Sequence, residues 1–196
     1  MEICVIGTGN VGAVLAERFA EVGHSVTGVN TSTPPERATA QAAHADVVVL
    51  AVPYPAVREF GGELKASLHG KVVIDATNPL SPDLMSLTVG HETSGGEQVA
   101  AALPGARVVK AFNTVFAATM ATPVLDGRRL LLPVAGDDPE SRKVAVELGT
   151  QLGFDAIDVG PMTNARYLEP VCELLVQLGY AQGLGERIGL VLARGQ

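Results

Sequence analysis

Tryptophan is absent from the sequence, and aromatic residues of any kind are few: five phenylalanines and three tyrosines among 196 residues. Only two cysteines occur, Cys4 and Cys172, each in an apolar segment and without the spacing of metal ligands. We therefore expect buried thiols in a reducing compartment rather than a disulfide or a metal site. The uninterrupted apolar runs have the length of β-strands, which is far short of a membrane span.

Positive charge is also scarce. The chain has 14 lysines and arginines against 21 aspartates and glutamates, which gives a formal net charge of -7. Nothing in that balance favours nucleic acid or an anionic membrane surface as a partner. The sequence begins directly with a strand-like apolar run that leaves no room for a signal peptide, so we expect a cytoplasmic protein that does not associate with membranes.

Aliphatic residues are abundant. Hydrophobic residues make up 47% of the chain, mostly Ala, Val, Leu and Ile, which suits a parallel sheet covered by helices on both faces. The length allows one substantial core. We therefore predict a single domain over 1–196, with the sheet and its helices in 1–160 and a C-terminal helical segment in 161–196.

The most informative stretch is the glycine-rich loop at positions 7–12, Gly7-Thr8-Gly9-Asn10-Val11-Gly12. An apolar run precedes it and a helical pattern follows it, which is the context that the dinucleotide fingerprint requires. In that context Gly7 permits the tight turn, Gly9 admits a diphosphate close to the backbone, and Gly12 lets the helix pack on the strand. The alternative is a strand–helix turn that binds nothing.

Strands and helices alternate along the rest of the chain, which predicts an α/β fold of the Rossmann type with a doubly wound, mostly parallel sheet. The patterns predict strands at 2–6, 25–29, 47–52, 71–76, 107–112, 130–135 and 156–159. They predict helices after the glycine loop and at 37–45, 56–68, 94–103 and 139–152. Residues 80–93 are predicted to form an irregular loop.

The C-terminal segment is helical from Asn164 onward. Its leucines at 168, 174, 175 and 178 form an apolar stripe, while glycines at 179, 183, 185 and 189 predict two helical pieces rather than one. The stripe is typical of a core or a dimer interface rather than a ligand site. We expect a homodimer. Lys110, within the fifth strand, is expected to be an exposed or salt-bridged strand end.

The end of the second strand decides between the two nicotinamide cofactors. An acidic residue there would bind the ribose diol and repel a 2′-phosphate. This chain instead has Asn30, Thr31, Ser32 and Thr33, with Arg37 nearby, and this set favours NADP. The alternative is a turn closed by local side-chain-to-backbone hydrogen bonds.

Further blocks carry a resemblance to a known family. They are Val-Pro-Tyr at 52–54, Asp-Ala-Thr-Asn-Pro-Leu at 75–80, Val-Lys-Ala-Phe-Asn-Thr at 109–114, Ala-Gly-Asp-Asp at 135–138, Gly-Pro at 160–161 and Asn-Ala-Arg-Tyr-Leu-Glu-Pro at 164–170. With the glycine loop, they resemble NADP oxidoreductases that depend on coenzyme F-420, a deazaflavin. The cytosolic domain of membrane-anchored ferric reductases looks similar. Archaeal members of the family carry arginines where this chain has Thr31 and Ser32, and a histidine where it has Asn113.

The resemblance implies an NADP site across the strand ends. Residues 8–11 would hold the diphosphate, residues 30–32 the adenosine phosphate, and Val52 and Pro53 the ribose side. Tyr54 and Asn78, at the ends of the third and fourth strands, are included in this predicted site, although Tyr54 could equally be edge packing. The nicotinamide would lie near Ala117.

The second ligand would face that nicotinamide. Its candidate cleft is closed by Asn113 and Thr114 on one side and by the Pro161-Met162 turn on the other; the alternative for Asn113 and Thr114 is a cap for the next segment. The predicted acceptor is coenzyme F-420, a flavin or a similar small redox carrier.

No convincing catalytic acid or base is found. The Tyr-x-x-x-Lys pair of short-chain dehydrogenases is absent, since positions 58, 171 and 184 after the three tyrosines hold Arg, Val and Leu. Hydride transfer between two stacked rings needs positioning and exclusion of water more than a proton donor. We therefore predict an NADP-dependent oxidoreductase. The alternatives are an NADP(H)-binding redox sensor without catalysis and a reductase of another small molecule.

Overall fold

The computed structural model describes residues 1–195. Within this range nine strands form: β1 Glu2–Ile6, β2 Ser25–Val29, β3 Val47–Leu50, β4 Val72–Asp75, β5 Arg107–Lys110, β6 Val124–Leu125, β7 Arg128–Arg129, β8 Leu131–Gly136 and β9 Asp155–Asp158. The α-helices are α1 Asn10–Glu21, α2 Pro35–His44, α3 Gly62–Ser67, α4 Gly95–Ala102, α5 Ala117–Met120, α6 Pro139–Gln151 and α7 Ala165–Val176.

Seven of these strands form one sheet in the order β2-β1-β3-β4-β5-β8-β9. All neighbouring pairs are parallel except β5 and β8, which are antiparallel. The predicted α/β, Rossmann-type fold with a mostly parallel sheet is confirmed. No helix within residues 1–195 has both the length and the apolar character needed to cross a membrane.

The sheet is buried on both faces because β3 is apolar at every position and the strands around it, β1, β4 and β5, are apolar except at Glu2, Asp75, Arg107 and Lys110. Alternate residues of β1 and β3 enter two separate core clusters, for example Val5 and Val49 in one and Cys4 and Val48 in the other. An edge-to-face series of three phenylalanines, Phe19, Phe112 and Phe154, with ring centroids 6.1 and 6.0 Å apart, belongs to the first cluster.

The register aligns the carboxyl ends of five strands. Ile6 pairs with both Val29 and Leu50, Leu50 pairs with Asp75, and Asp75 pairs with Lys110. The residues that follow these strands therefore lie along one edge of the sheet. In open α/β sheets, ligands bind at this edge.

Two predicted helices differ from the structure. In place of a helix over 56–68, Tyr54–Glu59 forms a 3-10 helix and α3 begins only at Gly62, because Pro53 and Pro55 lack donors and Gly61 breaks the run. The prediction of a second helical piece near the C-terminus is also wrong. A π-helical turn, Gln177–Ala181, extends α7, and the chain beyond it is irregular around Gly183 and Gly185, whose φ angles are positive.

Buried charges join α7 to the sheet. Lys110 is a salt-bridged strand end, as one of the two expectations had it, and not an exposed one, since it is fully buried; its Nζ lies 2.9 Å from Asp75 Oδ2 and 3.1 Å from Glu169 Oε1. It also donates to the Thr77 carbonyl at 2.6 Å. Burial by itself lowers the pKa of Lys110, but the Asp75 and Glu169 carboxylates outweigh it and hold that pKa above its ordinary value.

Glu169 also caps α4. Its two carboxylate oxygens accept the backbone N–H groups of Gly95 and Gly96, each at 2.8 Å. The amino end of a helix carries a partial positive charge that stabilises a carboxylate. A single side chain of α7 is thus bound by the end of α4 and by the lysine of β5. Ser94 caps the same helix end through the predicted capping box with Glu97.

Replacing Lys110 should therefore destabilise the fold strongly. In Lys110→Met the free energy of unfolding should fall by about 3–5 kcal/mol, because two carboxylates remain buried without their cation. Urea denaturation measures this change. The matched control is Glu21→Gln in the exposed pair with Arg18, which should cost less than about 1 kcal/mol. Equal small losses in both variants would contradict the role of the network.

The wild type and Lys110→Met also test how the contribution of Lys110 to stability depends on pH. Because folding raises the pKa of Lys110, its stabilisation is fully present below the unfolded value of about 10.4. It is lost as the pH rises through the higher folded value. The part of the difference in unfolding free energy between wild type and Lys110→Met that comes from the Lys110 charge should therefore persist through neutral pH and shrink only at strongly alkaline pH.

Candidate functional site

Two glycines of the loop lie in close contact with neighbouring backbone atoms. Gly7 has a φ of +98°, and a Cβ on it would lie 2.3 Å from the Ala51 carbonyl oxygen. A Cβ on Gly12 would lie 1.8 Å from the carbonyl oxygen of Gly7. Neither position accepts a side chain, so the loop turns tightly and α1 packs directly on the end of β1.

Gly9 is different because a Cβ there meets no atom within 4 Å. It is the residue before α1, and no side chain caps this helix end. The N–H groups of the first turn of α1 therefore face open space without an intramolecular acceptor. Helix ends of this kind bind phosphate groups, so the geometry fits the diphosphate of a dinucleotide.

A large cavity opens on the side of the loop that faces β2. This outer cavity, of about 910 Å³, is lined by the loop residues Gly7, Thr8 and Gly9 and by Asn30, Thr31, Thr33, Val52, Pro53 and the segment 59–64. Its size is sufficient for a nucleoside. It brings together most of the residues predicted to bind the adenosine end of the cofactor.

The turn after β2 is closed by its own hydrogen bonds. Asn30 Oδ1 accepts the N–H of Ser32 at 3.0 Å and its hydroxyl at 2.7 Å, while Asn30 Nδ2 donates to Thr8 Oγ1 at 3.3 Å. Ser32 does not line the outer cavity. Arg37 does not line it either; with Glu2 and His44 it lines a separate depression, so the structure does not bring this cation to the predicted phosphate site.

A middle cavity of about 280 Å³ continues the outer one and shares Ala51, Val52 and Pro53 with it. Tyr54, Thr77 and Asn78 also line the middle cavity. The Tyr54 hydroxyl donates to Gln98 Oε1 at 2.6 Å, and burial raises the pKa of this phenol. Tyr54 therefore both borders the cleft and packs at its edge, as the two interpretations of the sequence proposed.

An inner cavity of about 190 Å³ completes the cleft and shares Val11 and Asn78 with the middle one. The residues around it are Asn10, Asn113, Thr114, Val115, Phe116, Ala117, Cys172, Leu175, Val176, Tyr180 and Glu186. Three of the four predicted cleft residues, Asn113, Thr114 and Ala117, are among them. The three cavities together form one continuous cleft along the carboxyl edge of the sheet.

Three of the six buried polar side-chain atoms without a hydrogen bond in the described part of the chain belong to residues of this cleft. Asn78 and Asn113 bind each other, with Asn113 Nδ2 donating to Asn78 Oδ1 at 3.0 Å and Asn78 Nδ2 donating to the Asn113 carbonyl at 2.9 Å. Asn113 Oδ1 and the hydroxyls of Thr77 and Thr114 are buried without a hydrogen bond. Such atoms indicate a polar ligand, and a carboxamide such as that of nicotinamide supplies both donor and acceptor.

The backbone is strained next to these atoms. Phe112, a bulky residue, has a φ of +65°, a conformation that L-residues rarely adopt. Its ring is held between Phe19 and Phe154, and the strained bend directs the chain from β5 to Asn113. Strain of this kind persists where the surroundings enforce it, and it is concentrated at functional sites.

Met162 is a correction to the predicted cleft. It is buried in the second core cluster, where a Cβ on Gly96 would lie 3.0 Å from its sulfur, and it does not line the inner cavity. Its place in the wall is taken by Cys172, Leu175 and Val176 of α7 and by Tyr180 and Glu186 beyond it. The sequence pattern assigned the α7 stripe to a core or a dimer interface; the glycines after Leu178 were the available signal that the chain folds back there.

Cys172 faces the inner cavity as a neutral thiol, because burial raises the pKa of Cys172 to about 12. Among residues 1–195, no group of three or more His, Cys, Asp and Glu side chains is arranged to hold a metal ion.

A glycine-rich loop at the amino end of α1 and a continuous cleft along the strand ends define a Rossmann-type dinucleotide-binding protein. Comparisons with known proteins refine this class. The sequence profile of the family described as "NADP oxidoreductase coenzyme F420-dependent" matches residues 2–79. The F420-dependent NADP reductase of Methanothermobacter thermautotrophicus is 32% identical over 91% of this chain and 89% of that protein. The chain belongs to the family of F420-dependent NADP reductases and is an oxidoreductase.

Two further proteins are similar to this chain. A crystal structure from Arthrobacter sp. FB24, described as a candidate F420-dependent NADP reductase, superposes with a TM-score of 0.85 and 29% identity, over 99% of this chain and 100% of that one. Metalloreductase STEAP3 of Rattus norvegicus is 29% identical over 87% of this chain, which spans only 36% of that protein.

The loop geometry yields a sharp test of the diphosphate site. Gly9→Val should abolish binding of NADPH, because the side chain would project into the space in front of the α1 amides. It should cost no more than about 1 kcal/mol of stability, as expected for Val in place of Gly before a helix. Fluorescence titration and thermal melting measure the two effects.

Gly12→Ala is the contrasting variant. Its Cβ would overlap the Gly7 carbonyl, so its main effect should be a loss of about 3 kcal/mol or more of stability. Retained NADPH binding by a folded Gly9→Val protein would show that the diphosphate lies elsewhere.

Proposed function

We propose that this protein transfers a hydride between NADP(H) and a planar acceptor ring of the flavin or deazaflavin class. The observation on which the proposal rests is the continuous cleft. At the inner end of this cleft, buried polar atoms without hydrogen-bond partners lie opposite an apolar wall. The family assignment supports the same reaction class.

The chain's own residues would bind and orient both ligands. The α1 amides and Gly9 would hold the diphosphate, and the partnerless polar atoms of Thr77, Asn113 and Thr114 would orient the nicotinamide end. Phe116 and Leu175 would cover the reacting rings with apolar surface and exclude water. No histidine, lysine or arginine is found among the described residues around the inner cavity.

Hydride transfer to a ring is consistent with the absence of these three residue types, and the Tyr180 hydroxyl, which also lines the cavity, already donates to Glu186. When bound, NADPH supplies a hydride that adds to the acceptor ring, so that the nicotinamide is oxidised, the ring is reduced and one proton is taken from water. A carbonyl reductase would need a side chain that protonates the product oxygen. Positioning of two rings is sufficient here, and alignment alone can supply a large part of the rate.

The acceptor is tested by a spectrophotometric panel. Purified protein should oxidise NADPH when oxidised coenzyme F-420, FMN, FAD or riboflavin is added, and the acceptor ring should lose its absorbance in equal molar amount. Ferric chelates, offered separately, test the chemistry named for the metalloreductase relatives. Bound NADPH that is oxidised by none of these acceptors would contradict the proposed reaction and leave a binding protein.

Asn30 is the residue that would favour NADP over NAD. In Asn30→Asp the Oδ1 bonds within the turn can persist, while the amide that points to Thr8 becomes a carboxylate oxygen in the outer cavity. The dissociation constant of NADPH should rise roughly tenfold or more, because the carboxylate repels a 2′-phosphate, and that of NADH should stay the same or fall.

The control for this variant is Ala40→Glu, which adds the same charge on the exposed side of α2 outside the outer cavity. It should leave the ratio of the NADPH and NADH dissociation constants unchanged within about two-fold, since exposed charges are screened by salt. Equal affinity of the wild type for NADPH and NADH in fluorescence titration would contradict the NADP assignment.

The homodimer and the cytoplasmic location stay predictions. The surface that a dimer would bury on α7 includes Tyr167 and Leu174, which are 70% and 54% exposed and stand two helical turns apart.

A further inference from the structure

Residues 79–88, between β4 and α4, form a compact turn that we call the 79–88 loop. At its neck, Thr88 donates its N–H and its hydroxyl to the Pro79 carbonyl, at 2.7 and 2.9 Å. Nearer the tip, the N–H of Ser81 donates to the Ser86 carbonyl at 2.8 Å, and the N–H of Ser86 donates to Ser81 Oγ at 3.1 Å. The loop is therefore closed by its own hydrogen bonds, although it contains no helix and no strand.

Leu84, at the tip of this loop, has a left-handed backbone conformation with a φ of +63°. Its N–H donates to the Ser81 carbonyl at 2.9 Å, across a turn made by Pro82 and Asp83. Glycine is the usual residue at such a position, because a residue with a side chain is strained at positive φ. Strained residues are found preferentially where a ligand binds. Formation of the turn does not by itself explain a leucine here.

The side chain of Leu84 lines the middle cavity, together with Leu80 of the same loop. Pro53 and Tyr54, which follow β3, line the same cavity. Leu84 is 41% exposed, so a ligand that fills the middle cavity would cover apolar surface that water now contacts. Removal of such surface from water favours binding.

One side chain of the π-helical turn connects the loop to the inner end of the cleft. Gln177 Nε2 donates to the Met85 carbonyl and to Glu173 Oε1, each at 2.8 Å. Gln177 directly follows Val176, which lines the inner cavity. The bond to Met85 therefore fixes the neighbour of Leu84 relative to the wall of the inner cavity.

We propose that Leu84 is a binding residue that covers the ribose between the diphosphate and the nicotinamide of NADP(H), and that Gln177 positions it through Met85. This inference rests on the proposed binding of NADP(H) along the cleft. A ligand that extends from the outer to the inner cavity passes through the middle one, which shares residues with both. Contact with the cofactor would account for a leucine at a strained position.

Leu84→Gly is the informative variant, because it removes the side chain and relieves the backbone strain at once. Glycine adopts a positive φ freely, so the thermal midpoint should fall little or not at all. The dissociation constant of NADPH should rise about five-fold, because the apolar cover is lost. Adenosine 2′,5′-bisphosphate has no second ribose and no nicotinamide, so its dissociation constant should stay within about two-fold of the wild-type value. Isothermal titration calorimetry measures both constants.

Gln177→Met tests the positioning role. It removes the donor to the Met85 carbonyl and keeps a side chain of similar length. The dissociation constant of NADPH should rise about two- to three-fold, because the loop is then held less firmly over the cofactor, and that of the bisphosphate should not change. A merely structural role of Gln177 would weaken the binding of both ligands alike.

His91→Gly is the matched control. His91 also lies between β4 and α4, has a φ of +62°, is exposed and lines none of the three cavities. The replacement relieves the same kind of backbone strain away from the cleft. Both dissociation constants should therefore stay within about two-fold of their wild-type values.

The outcomes separate this inference from the proposed function. A Leu84→Gly protein that binds NADPH as tightly as the wild type, or that loses affinity equally for NADPH and the bisphosphate, overturns the role of Leu84 while hydride transfer stands. An unchanged NADPH affinity in Gln177→Met overturns the positioning role of Gln177. A wild type that does not bind NADPH overturns the proposed function and this inference with it.

Discussion

The carboxylate of Glu169 is the contact on which the cleft depends. It binds the amino end of α4 and the buried cation of Lys110, which in turn binds Asp75 at the end of β4. Cys172 and Leu175, three and six residues later on the same helix, form the wall of the inner cavity. The ion network thus holds in place the helix that forms this wall. Buried charges of this kind add little net stability over apolar packing, but they fix one arrangement of the elements that share them.

The other side of the cleft depends on the backbone rather than on charge. Parallel register brings the ends of β1 to β5 to one edge, and the two close glycine contacts let α1 present its free amides there. At this edge the structure contains a strained backbone conformation and buried polar atoms without hydrogen bonds, and the packing around them keeps both in place. Phe112 is strained, and Asn113, Thr77 and Thr114 bury polar atoms without partners. These departures from local consistency coincide with the candidate site, as expected where a ligand completes the structure.

The cofactor side could be predicted because its signals are local in sequence. The glycine loop, the strand before it and the helix after it lie within about twenty residues, and each glycine has the steric environment that its position predicts. The wall of the inner cavity could not be predicted in the same way. Its wall combines Val115 and Phe116 with Leu175 and Glu186, which are some sixty or more residues apart, and no periodicity relates them. The assignment of Met162 to the cleft failed for this reason, because the chain returns over the site one element later.

The sequence by itself determined the fold class, the strand-edge location of the site and the dinucleotide loop, because these follow from apolar periodicity and from the steric demands of glycine. Only the tertiary structure decided that Lys110 is a buried ion-pair centre, that Arg37 lies away from the outer cavity and that Glu186, near the C-terminus, lines the inner cavity. The physical reason is that burial and charge pairing depend on contacts between segments that are distant in sequence. Residue types along the chain do not by themselves specify those contacts.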